Sequence, residues 1–248
     1  MAHAPPGLGA AVDGLDPSLP MPPALRLVLA RRALDRHDDP RAQALIAGLG
    51  QTPDRLALEG RLADARGDRE SAVRMFLAAG DLADLEARID ELAKAGALEA
   101  ALALQRETVA RLARDPTQGD ALAQADFALG RLEQRQAYRF PLASPERERH
   151  QTSAAQAYER AVALAPLQER YLIAYANELV NAGRLDAAAA GFRRAWDVDP
   201  TSAEALAGLG DVAHRQGDDA AARAYLARSR VLDATDAAVR RLARELGA

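Results

Sequence analysis

The sequence predicts an all-α protein: a right-handed α-solenoid of stacked helix-turn-helix repeats, closed by a C-terminal capping helix. Three observations carry that expectation. First, two stretches superimpose at a spacing of 34 residues: Pro166 recurs as Pro200, Leu172 as Leu206, Tyr175 as Leu209, Gly183 as Gly217, Ala188 as Ala222 and Phe192 as Leu226. A fixed period of that size marks stacked helical hairpins, none of which can bury its apolar face alone. Second, alanine and leucine dominate, and aromatics make up only 4% of the chain. Small or straight side chains lose little freedom in a helix. Third, apolar residues recur at i, i+3 and i+7, as in Leu172, Tyr175 and Leu179, which is the spacing of one helix face.

Residues 1–22 are a Pro- and Gly-rich leader, expected to be disordered. They lack the basic and continuous apolar regions of a signal peptide. The repeats are expected over 23–234, about five to six in number. An opening hairpin over 23–50 places Ala42 and Ile46 in the small and large packing positions. Gly60, Gly67, Ala72, Phe76 and Ala79 have the separations of Gly210, Gly217, Ala222, Leu226 and Ser229, so 53–80 form a second hairpin. A weaker copy runs through Leu85, Leu92, Gly96, Ala101 and Thr108. Another opens near Ala123, passes Leu129 and Gly130, resumes at Ala154, Tyr158 and Ala161, and ends at Pro166. The clearest copies occupy 169–202 and 203–234.

In those two copies the first helix ends at Gly183 or Gly217, where glycine can take a positive φ. The second helix sets Ala188 or Ala222 where two helices cross most closely, and Phe192 or Leu226 fills the adjoining space. Proline then stops the hairpin. Thr201 and Glu204 have capping-box spacing at the next start. Thr235 opens the capping helix over 235–248. Val239, Leu242 and Leu246 share one face, and Arg240, Arg241, Arg244 and Glu245 lie towards the other, as the half-polar end of a stack requires.

One interruption stands out. Between Gly130 and Ala154 there are 24 positions where Gly210 and Ala222 are 12 apart. The excess lies at 139–150, where Pro141 and Pro145 argue against continuous helix between them. Long insertions on a regular scaffold often carry function. A tolerated surface loop or an extended hairpin tip is the alternative, and Tyr138, Phe140 and Leu142 are apolar enough for the segment to pack back on the array.

Chemistry-bearing motifs are scarce. The net charge of −4 on 27% charged residues gives no footprint for nucleic acid. The absence of cysteine excludes disulfides, thiolate zinc sites and cysteine nucleophiles. No apolar run reaches the roughly 18 residues of a membrane span. Lys94 is the only lysine among 32 basic residues, which reads as the codon bias of a GC-rich genome. The four histidines, His3, His37, His150 and His214, do not pair at metal-ligand spacing. Gly208-Leu-Gly210 lacks the preceding strand of a phosphate loop and falls inside a helix, where Gly210 permits close packing. No catalytic signature is present. The expectation is therefore a non-enzyme with no cofactor, no metal, no nucleic-acid partner and no direct membrane insertion. It would be cytoplasmic as written, or periplasmic if an export signal precedes it.

The 34-residue hairpin with these small, large and helix-stop positions resembles the tetratricopeptide repeat. It departs from the family in having no tryptophan at the usual position, the single Trp196 lying on a second helix. The resemblance implies a concave groove lined by first helices, at positions 2, 5, 9, 12 and 13 of each repeat. The early groove would be acidic, through Asp54, Asp64, Glu86 and Asp90. The later groove would present Arg131, Arg135, Arg170, Asn177, Asn181, Asp211, His214 and Arg215. Arginine can hold a carboxylate by two parallel bonds, and asparagine bonds both donors and acceptors of a peptide backbone. Ile173 stands where some family members have a carboxylate-gripping lysine, so that clamp is not matched. The expected function is a scaffold binding a protein or peptide segment, acidic or with a free C-terminus. The alternatives are a periplasmic segment of an envelope machine for polysaccharide export or outer-membrane assembly, and the regulatory repeat half of an enzyme.

Overall fold

A computed structural model of the chain describes residues 14–80 and 82–247. Among the described residues there are thirteen α-helices, one short 3-10 turn and no strand. The chain divides into two compact units, residues 1–111 and 112–248.

In the first unit α1 (Pro23–Asp35) and α2 (Asp39–Ala47) form one hairpin, and α3 (Pro53–Ala65) and α4 (Arg69–Ala78) the next. Helices α5 (Leu82–Lys94) and α6 (Leu98–Leu112) follow. The starts are capped by short polar side chains, as at Asp38, Thr52 and Asp68, each accepting from a backbone N–H three residues on. Such caps satisfy donors that the helix itself leaves open. Leu29, Ala30, Leu34, Ala42, Leu45, Ile46, Leu58 and Leu62 make a continuous buried core. Of the leader expected to be disordered, residues 1–13 lie outside the described residues. The described part runs against the first hairpin instead of standing loose. Leu15 and Met21 pack on its core. Arg26 donates to the Pro17 and Leu19 carbonyls at 3.0 and 3.1 Å, and Arg41 to the Leu15 carbonyl at 2.6 Å.

The second unit contains α7 (Gly119–Ala137) and α8 (Pro145–Leu164), α9 (Glu169–Asn181) and α10 (Leu185–Val198), and α11 (Ala203–Arg215) and α12 (Asp219–Asp233), with α13 (Ala237–Glu245) at its end. Each pair is a hairpin, and α8 packs on α9 and α10 on α11. Gly183 and Gly217 have φ of 70° and 85°, a region where a Cβ is costly. Ala188 and Ala222 are fully buried, with Phe192 and Leu226 beside them almost so. Helix α13 lays Val239, Leu242 and Leu246 over Ala207, Ala222 and Leu226.

Two local readings are refined. The cap of α11 is Ser202, which accepts from Ala205 N–H at 3.1 Å. Thr201 is held one residue earlier, its N–H and hydroxyl both bonding Asp199 at 2.9 and 2.6 Å, so it cannot serve as the cap. The insertion lengthens a hairpin. Pro145 sits in the first turn of α8, where its missing N–H costs nothing. Phe140 stacks on His150, and Arg147 reaches back to the Phe140 carbonyl.

Candidate functional site

The expected later groove falls wholly in the second unit. On α7, Phe127, Arg131 and Arg135 recur at i, i+4 and i+8, one stripe of the helix. Arg131 and Arg135 are exposed. On α9, Arg170 lays its guanidinium over the rings of Phe127 and Tyr171, 5.2 and 5.0 Å from their centroids. It also donates to the Tyr171 hydroxyl at 3.2 Å. The Phe127 and Tyr171 rings pack against each other at a 31° tilt, their centroids 4.6 Å apart. The rings hold the guanidinium plane and leave its remaining N–H groups outward. Arg131 and Arg135 lie one and two turns beyond Phe127, the α7 ring that Arg170 covers.

The remaining expected residues are placed differently. Asn177 is half-buried, and Asn181 is exposed and lines a cleft between α8 and α9. Ile173 and Val180, at two further groove positions, are buried in the core. On α11, Asp211 is buried and accepts from Arg215 Nε at 2.8 Å. His214 Nδ1 meets the Asp219 carboxylate at 2.6 Å. These three side chains therefore satisfy one another or the start of α12. In the first unit the acidic positions are likewise paired: Asp54 with Arg31, Asp64 with Arg88 and Asp90 with Lys94.

Three buried carboxylates in the second unit escaped the sequence reading. Asp126 accepts two bonds from Arg160, at 2.9 and 2.7 Å. Burial raises its pKa, and Arg160 opposes the rise. Glu133 meets His150 Nδ1 at 2.6 Å. Glu178 accepts from the Gln134 amide at 2.5 Å. Burial lifts the Glu178 pKa above the usual carboxylate range, against the pull of Gln134, Asn181 and Arg147. One signal was available for Glu178: it shares a helix face with Tyr171 and Tyr175, seven and three residues before it. Among the described residues no helix is long and apolar enough to cross a membrane. No group of three or more His, Asp or Glu side chains among them could hold a metal ion.

The helix-turn-helix geometry has clear counterparts. The tetratricopeptide-repeat family profile matches residues 179–246. YrrB, described as a TPR protein with an unusual peptide-binding site, aligns over 97% of this chain and 100% of its own, at 13% identity and a TM-score of 0.54. Residues 179–246 thus carry a tetratricopeptide-repeat match, and the chain has the fold of tetratricopeptide-repeat proteins. PilF of Pseudomonas aeruginosa aligns over 90% of this chain and 97% of its own, at 14% identity and a TM-score of 0.51. MamA of Desulfovibrio magneticus covers 76% of this chain and 98% of its own, at 18% identity and a TM-score of 0.52. At these identities the likeness is one of fold. No curated protein matches the sequence. In tetratricopeptide terms, Gly60, Gly130 and Gly210 occupy one equivalent position on their first helices. A Cβ on Gly60 or Gly130 would press on the ring of Phe76 or Tyr158, and one on Gly210 would press on Leu242.

Proposed function

We propose that this protein is a non-enzymatic scaffold that holds an acidic peptide or protein segment, or a free C-terminal carboxylate, against the Arg131, Arg135 and Arg170 face. One observation carries the reading. Arg131 and Arg135 form no hydrogen bond or ion pair with any described residue, while the acidic groove positions Asp54, Asp64, Asp90 and Asp211 are each neutralised within the fold. Arg170 is preoriented by two rings, so less side-chain freedom is lost when it meets a carboxylate. Peptide binding by YrrB supports a protein-segment ligand on this scaffold.

The test uses a labelled ten-residue peptide rich in Asp and Glu with a free C-terminus, followed by fluorescence anisotropy. The double change Arg131→Gln, Arg135→Gln should weaken binding by about tenfold, the loss expected for roughly 1.4 kcal/mol of charge-assisted contact. The helical signal should be unchanged, because both side chains are exposed. Equal affinity for the double variant, or equal affinity for a basic peptide, refutes the assignment.

A further inference from the structure

We propose that a second site in the same unit, the cleft between α8 and α9, takes a single arginine side chain from a bound protein segment. The cleft has a volume of about 530 Å³. Three carboxylates, Glu148, Glu159 and Glu178, line it against one cation, Arg184. Its sign is thus opposite to that of the arginine face.

Acidic side chains on a helix surface are normally solvated, and a cluster of them means little. Glu178 is different. It is only 2% exposed, and its Oε2 has no hydrogen-bond partner while Oε1 takes the Gln134 amide. A buried acceptor left unmade bears its full desolvation cost. A donor entering the cleft would remove that cost, and a cation would also favour the charged carboxylate that burial disfavours. Glu159 is held in place by the Tyr175 hydroxyl, which donates to its Oε1 at 3.0 Å. Its other oxygen stays open to a ligand. Glu148 belongs to the stretch added by the insertion, so the lengthened hairpin supplies part of the wall.

A guanidinium suits this set better than an ammonium. It is planar, carries five donors in a fixed fork and keeps its charge throughout the accessible pH range. It can serve two carboxylates at once and offset their charge, where a single buried water would satisfy Oε2 without neutralising it. Arg184 lines the same cleft, and Arg147 already pulls on Glu178, so a ligand competes with the chain's own cations, and Arg184, the one on the cleft wall, gives the proposal a second handle.

The experiment uses the full chain, labelled with nitrogen-15, and the blocked peptide acetyl-Gly-Arg-Gly-amide. Its citrulline counterpart has nearly the same shape without the charge. The arginine peptide should shift the amide signals of Tyr175, Glu178 and Asn181 saturably, with an affinity at least tenfold above that of the citrulline peptide. Glu178→Gln should weaken binding about tenfold without lowering the melting midpoint. Arg184→Gln should strengthen it severalfold. The proposal is overturned by shifts that do not saturate, by equal citrulline binding, or by shifts that map to Arg131 and Arg170 instead. Undiminished binding by Glu178→Gln overturns it as well, since a trapped water then suffices for Oε2. Its failure is separable from that of the acidic-peptide reading, because the probe and the residues are different.

Discussion

Gly208→Ala is the sharpest test of the packing. Gly208 lies within α11, buried against α10. A Cβ built there would stand 2.4, 2.5 and 2.6 Å from Cε1, Cδ1 and Cζ of Phe192, about 1 Å inside the 3.5–4.0 Å at which carbon atoms normally meet. Phe192 is 1% exposed, so its ring cannot swing into solvent. Forcing a methyl group into such a core costs about 1–3 kcal/mol. Three ring atoms are struck at once, which places the cost near the top of that range. Alanine returns about 1 kcal/mol of helix propensity over glycine. The net loss is therefore about 1–2 kcal/mol, or roughly 2–8 °C in melting temperature for a chain of this size. Helical circular dichroism against temperature and urea reads it directly. Gly50→Ala is the control, with nothing within 4 Å of its Cβ. It should be neutral or stabilising by about 0.4–1 kcal/mol through the unfolded chain. Combining Gly208→Ala with Phe192→Leu should cost less than the sum of the two single changes. A Gly208→Ala protein as stable as the parent, or strict additivity in the pair, would show that α11 does not approach the Phe192 ring.

Other changes probe separate parts of the fold. Ala188→Leu puts a large side chain at a crossing that is fully buried and should destabilise by about 1–3 kcal/mol; an unchanged urea midpoint would place the crossing elsewhere. Glu178→Gln reads the buried carboxylate. Its pKa is higher folded than unfolded, so the native state holds the proton more tightly, and stability falls as pH rises from the unfolded value through the raised one. The Gln variant should therefore match the parent below about pH 4.5, the ordinary glutamate range, and exceed it at neutral pH; a constant difference across that window would contradict the assignment. Affinity of the acidic decapeptide should fall steeply between 50 mM and 500 mM salt, since exposed arginines act through screened charge, and salt-independent binding would point to an apolar contact instead.

How far the sequence could be read depended on whether a feature repeats. Ala188 and Phe192 were legible because Ala222 and Leu226 occupy the same places one period on, and packing at the crossing forces that recurrence. The helix-ending glycines were legible for the same reason, since Gly67, Gly183 and Gly217 must all take a positive φ. The groove was less legible because the fate of a polar side chain is decided by a partner that the period does not encode. Glu178 lies 44 residues from Gln134, and Glu133 lies 17 from His150; the repeat period encodes neither partner, and only the face that Glu178 shares with Tyr171 and Tyr175 hints at its burial. His214 meets Asp219 only because the Gly217 turn brings the start of α12 beside it. Asp211 and Arg215 form an i,i+4 pair that the sequence alone could have flagged.

That i,i+4 spacing also bears on the arginine face. Several helices use it for opposite charges, as in Arg55 with Glu59, Asp90 with Lys94 and Asp211 with Arg215, and two others set like charges there, Glu86 with Asp90 and Arg240 with Arg244. Arg131 and Arg135 put two like charges at the same spacing on α7, which costs an isolated helix about 0.2–0.5 kcal/mol where the opposite pairing would gain as much. Arg170 adds a third cation beside Phe127, one turn before Arg131. Substituting a glutamate for either α7 arginine would turn the repulsion into an attraction at no packing cost, since both side chains are exposed. A fold that neutralises Asp54, Asp64, Asp90 and Asp211 and leaves this repulsion standing gains nothing in stability from it. What the arrangement does provide is an undivided positive field and free guanidinium donors, and both take effect only when an anionic partner arrives. Arg131→Glu should accordingly hold or raise the melting temperature while abolishing acidic-peptide binding; a drop in stability with binding intact would mean that these arginines serve the fold.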